Sequence, residues 1–370
     1  MNKVYWGDCR DSLRQMKEEG IKVQTCVTSP PYYGLRDYGT GTWIGGDENC
    51  SHKRDSKHSD KTITGHANKD LTVGDAIYKT VCPKCGAERK DLQIGLEETP
   101  QQFINNLVEV FACVWDILTD DGTLWVNLGD SYSSHKDCKS TPQTFALGTA
   151  KEQAPVMDKG KSRIRDSRML KAQGFKNKDL MGMPWRLAFA LQDFGWYLRQ
   201  DIIWHKPNPM PESVKDRCTK SHEYIFLLSK KPNYYFDYKA IQEPSKFYGI
   251  DSRSDKGNIR YEGKRTENNN SLAQQSFVTI NEMANKRSVW SINTSSYKGA
   301  HFATYPMELV EPMILAGTKV GDIVLDPFFG SGTTGQVAQN LGRKWIGCEL
   351  NKEYELLQNK RLQQQGLELL

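Results

Sequence analysis

The stretch Leu325-Asp326-Pro327-Phe328-Phe329-Gly330-Ser331-Gly332-Thr333-Thr334 decides the fold class of this chain. It lies between a short apolar run, residues 323–325, and a segment with helical periodicity, residues 334–341. Its glycines let the backbone approach a ligand closely, and doubly wound folds bind cofactors at such a turn, beyond the carboxyl end of a parallel strand. The sequence therefore predicts a cofactor-binding loop between a strand and a helix.

The residues of this loop differ from those of a phosphate-binding loop. The Gly-Lys-Ser/Thr ending of such loops is absent from residues 325–334. Asp326 at the strand tip would repel a phosphate but could pair with a cationic ligand. A second carboxylate, Glu349, follows the next predicted strand, where an acidic residue suits a ribose diol.

A second motif, Thr28-Ser29-Pro30-Pro31-Tyr32-Tyr33, follows another predicted strand. Its two prolines stiffen the backbone and remove two amide donors, so the local carbonyl groups are free to accept hydrogen bonds from an incoming amino group. Tyr32 offers a stacking face for a planar base. An isolated Pro-Pro turn is common and would not by itself indicate a function. This one follows a predicted strand, as the Gly-rich loop does, so the two motifs together indicate a functional site.

Strands and helices alternate over the rest of the chain, which predicts a mostly parallel sheet with helices on both faces. Predicted strands cover residues 4–6, 23–27, 123–128, 197–204, 224–228, 323–325 and 345–348. Predicted helices cover residues 11–19, 99–118, 180–194 and 334–341, with a terminal helix around residue 354. Three long polar stretches interrupt this pattern and are interpreted as insertions.

Composition excludes several classes of protein. The 370 residues include 50 basic and 45 acidic side chains, so the net charge of +5 is too small for a histone-like polycation. Nine scattered cysteines do not form a disulfide framework. No stretch approaches the roughly 18 apolar residues of a membrane span, and the N-terminus lacks the apolar core of a signal peptide. We expect a soluble protein of a reducing compartment.

The two motifs together resemble those of the S-adenosylmethionine-dependent DNA amino-methyltransferases. Residues 29–32 are similar to the catalytic motif of that family, and residues 326–333 to its cofactor motif. Their order along the chain matches the permuted β class. The resemblance implies a Rossmann-like, doubly wound, mostly parallel sheet in circularly permuted order. The polar stretches lie outside the match, and we expect them to form a zinc-binding insertion, predicted from its cysteine and histidine spacing, and target-recognition insertions.

The resemblance also assigns roles to individual residues. It implies a catalytic motif formed by Ser29, Pro30, Pro31 and Tyr32. It implies contacts to S-adenosylmethionine from Asp8, Asp326, Pro327, Phe328, Gly330, Gly332, Thr333, Glu349 and His301. Among these, Asp8 would hold the adenine, Glu349 the ribose, and the Gly-rich loop the methionine part. For His301, a helix cap or a packing role is an equally open interpretation.

The family chemistry requires a base that is flipped out of the duplex and stacked, because an exocyclic amine inside a duplex is inaccessible. The amine attacks the methyl group directly while Ser29 and the Pro30 carbonyl orient it. Methylation of cytosine C5 would need a thiolate in a Pro-Cys setting, and Cys82-Pro83 has the reverse order. Serine at the first motif position is more typical of cytosine-N4 enzymes than of adenine-N6 enzymes, so cytosine is favoured and adenine stays the alternative.

The first polar stretch contains a predicted metal site. Cys82-x-x-Cys85 before a glycine has the spacing of a zinc knuckle, and Cys50-x-His52 precedes it with the same ligand types. A segment of about fifty polar residues could fold with the free energy of metal binding. The sequence predicts one structural zinc, with two further histidines, His58 and His66, as competing ligands. Unpaired residues in a loop are the alternative.

A basic segment, residues 151–178, has nine basic and three acidic residues, for a net charge of +6. Such a segment is most often merely solvated, but beside a base-methylating site it is a candidate for DNA contact. The predicted DNA-binding residues are Arg163, Arg165, Arg168, Trp204 and Lys206. The last two belong to a segment that, together with residues 222–224, resembles the family's target-base pocket. Core packing is the alternative for Trp204.

These observations divide the chain into seven segments. They are the catalytic-motif half (1–42), the zinc-binding insertion (43–98), core (99–132), a basic insertion (133–178), core (179–239), a recognition insertion (240–288) and the cofactor-binding half (289–370). The expected partners are double-stranded DNA, a cognate restriction endonuclease and a second copy of the chain. We expect a cytoplasmic enzyme encoded by a bacterium, archaeon or phage. A zinc-containing DNA-binding protein without catalysis, or a methyltransferase for RNA or protein glutamine, are the rival hypotheses.

Overall fold

The computed structural model describes residues 1–34, 38, 40–52, 81–133, 174–245, 282–294 and 305–363. The helices are α1 (Cys9–Glu18), α2 (Pro100–Ile117), α3 (Met183–Phe194), α4 (Met307–Gly317), α5 (Thr333–Asn340) and α6 (Glu355–Gln363). The strands are β1 (Lys3–Trp6), β2 (Val23–Thr28), β3 (Thr42–Ile44), β4 (Glu88–Lys90), β5 (Leu118–Leu128), β6 (Tyr197–His205), β7 (His222–Ser229), β8 (Glu243–Pro244), β9 (Met283–Ala284), β10 (Val289–Ser291), β11 (Ile323–Asp326) and β12 (Lys344–Glu349).

Eight strands form the central sheet in the order β1-β12-β11-β2-β5-β7-β6-β10. Every neighbouring pair is parallel except the two that β7 makes. The prediction of a mostly parallel, Rossmann-like sheet is therefore confirmed. Strand β2, near the start of the chain, pairs with β11, near its end, and Thr25 lies beside Val324. The two motif-bearing strands are thus neighbours at the centre of the sheet.

Helices cover both faces of this sheet, as its apolar pattern requires. Helices α1, α2 and α3 pack on one face, and α4 and α5 on the other. Successive residues of β5 point to opposite faces, so Leu124 and Val126 belong to the first core and Trp125 to the second. Within the described ranges, no helix is long and apolar enough to cross a membrane.

Local signals explain where several of these elements begin. Thr99 and Gln102 form a reciprocal capping box at the start of α2, because the Thr99 hydroxyl accepts from the Gln102 amide while the Gln102 side chain accepts from the Thr99 amide. Asp8 caps α1, since its carboxylate accepts a hydrogen bond of 2.8 Å from the Arg10 amide. Asp8 is thereby held at the carboxyl end of β1.

Several features differ from the sequence-based expectation, among them strand β10 of the central sheet, which was not predicted. Helix α4 was not predicted, because Pro312 lies inside it. Strand β5 begins directly after α2 and continues through residues 120–122, where a turn was expected, and its pairing with β2 shifts register there. Helix α3 begins at Met183, three residues later than predicted, after Gly182 with a φ of 67°. None of these differences moves the two motifs away from the sheet edge.

Candidate active site and metal centre

The candidate site lies at the carboxyl edge of the sheet. Strands β1, β12, β11 and β2 are parallel neighbours, so the residues that follow them meet at one edge. A cavity of about 1020 Å³, including its open mouth, occupies this edge. Among its lining residues are Asp8, Ser29, Pro31, Pro327, Phe328, Gly330, Thr333 and Glu349. The cavity therefore brings residues of both predicted motifs together.

Asp326 lies behind the cofactor loop and does not line the cavity. Its side chain is 1% exposed, and its two oxygens accept hydrogen bonds from four groups. The donors are the hydroxyls of Thr28 (2.6 Å), Thr334 (2.6 Å) and Tyr305 (3.1 Å) and the Phe328 amide (3.0 Å). Burial raises the pKa of this carboxyl, while the four donors oppose that shift. Asp326 thus ties β2, the loop and α5 together.

Glu349 lies at the tip of β12 and lines the cavity. Its carboxylate accepts hydrogen bonds from the Gly330 amide at 2.7 Å and from the Asn351 amide at 2.8 Å. Burial raises the pKa of Glu349 to about 7. A carboxylate in this position holds the Gly-rich loop and can also accept hydrogen bonds from a ligand's hydroxyl groups.

The pKa of Asp8 is shifted in the opposite direction from that of Glu349. Its carboxylate forms an ion pair with the Arg10 guanidinium, at 2.6 Å. Burial acts to raise the pKa of Asp8, but the hydrogen bonds and the charge of Arg10 outweigh it and lower the pKa below its usual value. Asp8 therefore stays ionised at neutral pH as a hydrogen-bond acceptor on the cavity surface.

The cofactor loop is braced from outside the cavity by α6. The Gln358 side chain donates to the Gly330 carbonyl at 2.6 Å, and Arg361 donates to the hydroxyls of Ser331 (2.9 Å) and Thr333. Gly330 and Gly332 have φ values of 51° and 86°, which favour glycine. The conformation of the loop is consequently fixed by its positive-φ glycines and by the buried side chains that donate to it.

The catalytic motif is held by polar side chains from the next strands of the sheet. The Ser29 hydroxyl donates to the Asn127 side-chain oxygen at 3.2 Å, and the Tyr32 hydroxyl donates to Glu223 at 2.7 Å. Glu223 in turn accepts from the Lys206 ammonium at 2.5 Å. Asn127 is 1% exposed and also donates to the Tyr224 carbonyl, at 3.1 Å. These contacts orient both the serine and the tyrosine.

The Tyr32 ring packs against the backbone at Gly129. A Cβ atom at Gly129 would lie 2.5 Å from the ring, so only glycine leaves room for it. Burial, followed by the adjacent Glu223 carboxylate, raises the pKa of the Tyr32 hydroxyl well above its ordinary value. The hydroxyl therefore remains protonated and keeps donating to Glu223.

The two described residues of the predicted DNA-binding set differ in their surroundings. Trp204 is 4% exposed, belongs to the second core and donates through its indole nitrogen to the Ile292 carbonyl at 2.9 Å. The Lys206 ammonium lies 4.2 Å from the centre of the Trp204 ring and pairs with Glu223. Trp204 thus supports Lys206 from the core, and its ring presents no open stacking face.

The four predicted metal ligands, two from the first part of the first insertion and two from its last third, lie together in the structure. Their ligand atoms all lie within 4.8 Å of one another. The sulfurs of Cys50 and Cys82 are 3.7 Å apart, and the Cys85 sulfur is 3.5 Å from His52 Nδ1. A zinc tetrahedron has edges of about 3.8 Å between sulfurs and about 3.6 Å between sulfur and nitrogen. Two of the ligand distances thus match the edges of a zinc tetrahedron, and the four residues are placed so that each can offer one ligand atom to a metal ion.

Some predicted residues cannot be placed, and some that contribute were not predicted. His301, Arg163, Arg165 and Arg168 lie outside the described residues, as do the competing ligands His58 and His66. Sequence reasoning gave no role to Thr28, Asn127, Tyr305, Gln358 or Arg361. Asn127 had a usable signal, because it is a polar residue inside the apolar run of β5. The other four carry no local pattern that separates them from ordinary polar residues.

Comparison with known proteins identifies the family of the chain. The DNA methylase family model matches residues 23–360. The chain is 40% identical over 360 residues to the type II methyltransferase M.Cfr9I of Citrobacter freundii, covering 97% of this chain and 87% of that protein. It is also 40% identical over 363 residues to the type II methyltransferase M.XycI of Xanthomonas campestris pv. cyanopsidis, with coverages of 98% and 88%.

Solved structures show the same fold at low sequence identity. The PvuII DNA methyltransferase, which is cytosine-N4-specific, is 17% identical with a TM-score of 0.51, and the match covers 97% of this chain and 85% of that one. A candidate DNA modification methylase of Thermus thermophilus, complexed with S-adenosyl-L-methionine, is 19% identical with a TM-score of 0.51 and coverages of 100% and 96%. The family match over nearly the whole length is decisive, and this chain belongs to the DNA methylase family.

Proposed function

We propose that this chain is a site-specific DNA methyltransferase that transfers a methyl group from S-adenosylmethionine to the exocyclic amine of a flipped base, with cytosine N4 as the target. One observation carries the proposal. Ser29 and Pro31 of the catalytic motif line the same cavity as Asp8, Phe328 and Glu349 of the cofactor half. A methyl donor in that cavity would be within reach of an amine held by the catalytic motif.

The residues of the cavity fit S-adenosylmethionine. The cofactor supplies an electrophilic methyl group on a cationic sulfonium. Glu349, at the tip of β12, suits its ribose hydroxyls, and Asp8, at the tip of β1, suits the adenine amino group. The Gly-rich loop accommodates the remainder, since its backbone leaves room for close approach. Asp326 contributes by fixing the loop rather than by touching the ligand.

The catalytic motif would orient the target amine. Because the Ser29 hydroxyl donates its hydrogen to Asn127, its lone pairs are left to accept a hydrogen bond from the amine. The Pro30 carbonyl accepts the second, and together they direct the nitrogen lone pair at the methyl carbon. Positive charge would develop on the amine nitrogen during methyl transfer, and these two acceptors would stabilise it.

Cytosine is favoured because serine opens the catalytic motif, as in cytosine-N4 enzymes of the family that the motifs resemble. Methylation at cytosine C5 is disfavoured by the position of Cys82. This thiol is fully buried within the metal-ligand cluster and does not line the cofactor cavity. The amine, rather than a ring carbon, is therefore the proposed methyl acceptor.

Other parts of the proposal rest on the sequence. The DNA contacts would come from Arg163, Arg165, Arg168 and Lys206. The three polar insertions would build the recognition surface around the four core segments. One zinc would be bound by Cys50, His52, Cys82 and Cys85. A cognate restriction endonuclease and a homodimer also remain predictions.

The proposal is tested by supplying methyl-labelled cofactor together with duplex DNA, RNA of matched sequence, or unrelated protein. We expect stable label in the DNA alone. Label in RNA or in protein glutamine would favour the corresponding rival. Binding of DNA without transfer would support the non-catalytic alternative.

The pKa of Glu349 predicts how cofactor affinity depends on pH. The ionised carboxylate is the stronger acceptor for ribose hydroxyls, and the pKa is about 7. Affinity should therefore rise as pH increases from 6 to 8, measured by calorimetry in the absence of DNA. Glu349→Gln removes the titrating proton and should flatten this part of the profile. A profile that is equally steep in the variant would contradict the assignment.

Glu223 is predicted to be a positioning residue that acts through Tyr32. Glu223→Gln weakens a charge-assisted hydrogen bond, so kcat should fall about tenfold without a change in cofactor affinity. Tyr32→Phe should have a similar effect, and the double variant should be no worse than the more impaired single variant. Glu19→Gln is the matched control, because Glu19 accepts a hydrogen bond of the same length, 2.7 Å, from the Tyr5 hydroxyl away from the cavity. Additive losses in the double variant would mean that the two side chains act independently.

A further inference from the structure

We infer that a zinc ion bound by the Cys50–His52–Cys82–Cys85 cluster holds one wall of the cofactor cavity in place, so that metal occupancy sets the affinity for the cofactor. The cavity wall consists of the lining residues on either side of the metal cluster in sequence, which are Tyr38 and Thr40 just before the first insertion and Leu92, Gln93 and Ile94 near its end. The inference deepens the proposed function and rests on it, because it takes the ligand of the cavity to be S-adenosylmethionine.

The metal cluster contacts both strands of a small two-stranded antiparallel sheet, β3 and β4, which is called the hairpin below although residues 45–87 lie between its strands. Strands β3 and β4 pair antiparallel, and the His52 ring stacks on Trp43 of β3 with the ring centres 4.4 Å apart. On the other side, the Cys82 amide donates to the Ala87 carbonyl at 2.8 Å, immediately before β4. Gly46 passes so close that an added Cβ would lie 2.8 Å from the Ala87 side chain. The ligands therefore fix the hairpin at its outer end.

The inner end of the same hairpin forms the cavity wall. The Thr40 hydroxyl donates to Asp91 at 2.9 Å, and Asp91 is paired with Arg89 of β4 at 3.0 Å. The Tyr38 amide donates to the Gln93 side-chain oxygen at 2.8 Å. The two chain segments that leave the hairpin are thus joined where they reach the cavity, and the position of one determines the position of the other.

The cavity wall also reaches the acidic side of the site. The Asn351 side chain donates to the Tyr38 carbonyl at 3.3 Å, and the Asn351 amide donates to Glu349 at 2.8 Å. Near the catalytic motif, the Gly34 amide donates to the Gly95 carbonyl at 2.8 Å. A shift of the hairpin would therefore move Asn351, which lies next to Glu349, the residue proposed to hold the ribose.

Apolar burial contributes little to the stability of this hairpin. Each of its strands has three residues, and an isolated two-stranded hairpin is marginally stable in water. Ile44, Val81 and Leu92, its large aliphatic side chains at or beside the strands, are about half exposed. Zinc binding by three thiolates and an imidazole can supply the missing free energy. Without the metal, the cavity wall should lose its fixed position.

The test compares the full-length protein with and without its metal, in the absence of DNA. Mass spectrometry should find one zinc per chain. Removing it with a strong chelator should weaken S-adenosylmethionine binding about tenfold by calorimetry, and added zinc should restore the affinity. Because coupling is reciprocal, saturating S-adenosylmethionine should raise the affinity for zinc by the same factor. That second readout is independent of methyl transfer.

Three variants distinguish coupling between zinc binding and S-adenosylmethionine binding from a general loss of folded structure. Cys85→Ser should lose zinc and bind the cofactor weakly, whereas Cys218→Ser, an exposed cysteine outside the cluster, should keep both properties. Trp43→Ala should retain zinc but bind the cofactor as weakly as the metal-free protein, since it breaks the contact between His52 and β3. Circular dichroism should show an intact central fold in all three.

Two results would overturn the inference while leaving the proposed function intact. One is a protein that neither contains nor takes up zinc, and the other is a metal-free protein that binds S-adenosylmethionine as tightly as the zinc-loaded form. A zinc-loaded protein that does not bind S-adenosylmethionine at all would contradict the proposed function as well. The two failures are therefore distinguishable by the same measurements.

Discussion

Ser29→Ala is expected to lower turnover about 100-fold while leaving the affinity for S-adenosylmethionine unchanged. The substitution removes the hydroxyl that donates to Asn127 and presents its lone pairs to the amine. Ser29 lies at the cavity margin formed by the catalytic motif, and the groups that hold the cofactor loop, Asp326 and Glu349, are left in place. The loss should therefore fall on the chemical step.

Single-turnover rates and calorimetric cofactor binding together check this prediction. The control is Ser229→Ala, which also removes a donating hydroxyl, here to the Lys231 carbonyl at 2.8 Å. Ser229 pairs with Thr123 and lies at the opposite edge of the sheet. Normal turnover in Ser29→Ala would refute the catalytic assignment. A parallel loss of cofactor affinity would instead place Ser29 in the cofactor site.

Asp326→Ala is expected to abolish cofactor binding through a different route. The substitution leaves three hydroxyls and one amide without their common acceptor in a buried position. The free energy of unfolding should fall by about 3 kcal/mol. Because the same acceptor fixes the loop between β11 and α5, the dissociation constant for S-adenosylmethionine should rise at least about 100-fold, which equals about 2.7 kcal/mol.

Asp326→Asn separates the effect on the loop from loss of charge. The asparagine oxygen can still accept from Thr28 and from the Phe328 amide, while the hydroxyls of Tyr305 and Thr334 can rotate to accept from its amide group. We expect Asp326→Asn to recover most of the stability and much of the cofactor affinity. If it binds as poorly as Asp326→Ala, the negative charge itself, and direct attraction of the sulfonium, would account for the loss.

The sequence was sufficient to predict the sheet type and the meeting of both motifs at one edge of the sheet. Each motif is a continuous run after a strand, and parallel strands carry their carboxyl ends to one edge, so the positions of Ser29, Phe328 and Glu349 follow from local patterns. The spacing of Cys82 and Cys85 likewise placed them next to one another. Predictions of this kind need only the pattern of residues that are close together in the sequence.

The partners of these residues could not be predicted, because they come from distant parts of the chain. Thr28 and Asp326 are 298 residues apart in sequence, and Tyr32 and Glu223 are 191 residues apart. These contacts exist only because β11, β2, β5 and β7 lie side by side in the sheet. The burial of Asp326 among four donors, off the cavity lining, depends on tertiary contacts for the same reason. The contribution of the first insertion to the cavity also depends on tertiary contacts.

The most direct test of the central claim identifies the methylated base. Duplex DNA is incubated with the protein and methyl-labelled S-adenosylmethionine, digested to nucleosides and analysed by mass spectrometry, with Ser29→Ala as the control for background transfer. The account predicts N4-methylcytosine at one sequence context and almost no product from the variant. N6-methyladenine would contradict the choice of cytosine, and 5-methylcytosine, or no DNA product at all, would contradict transfer to an exocyclic amine by this site.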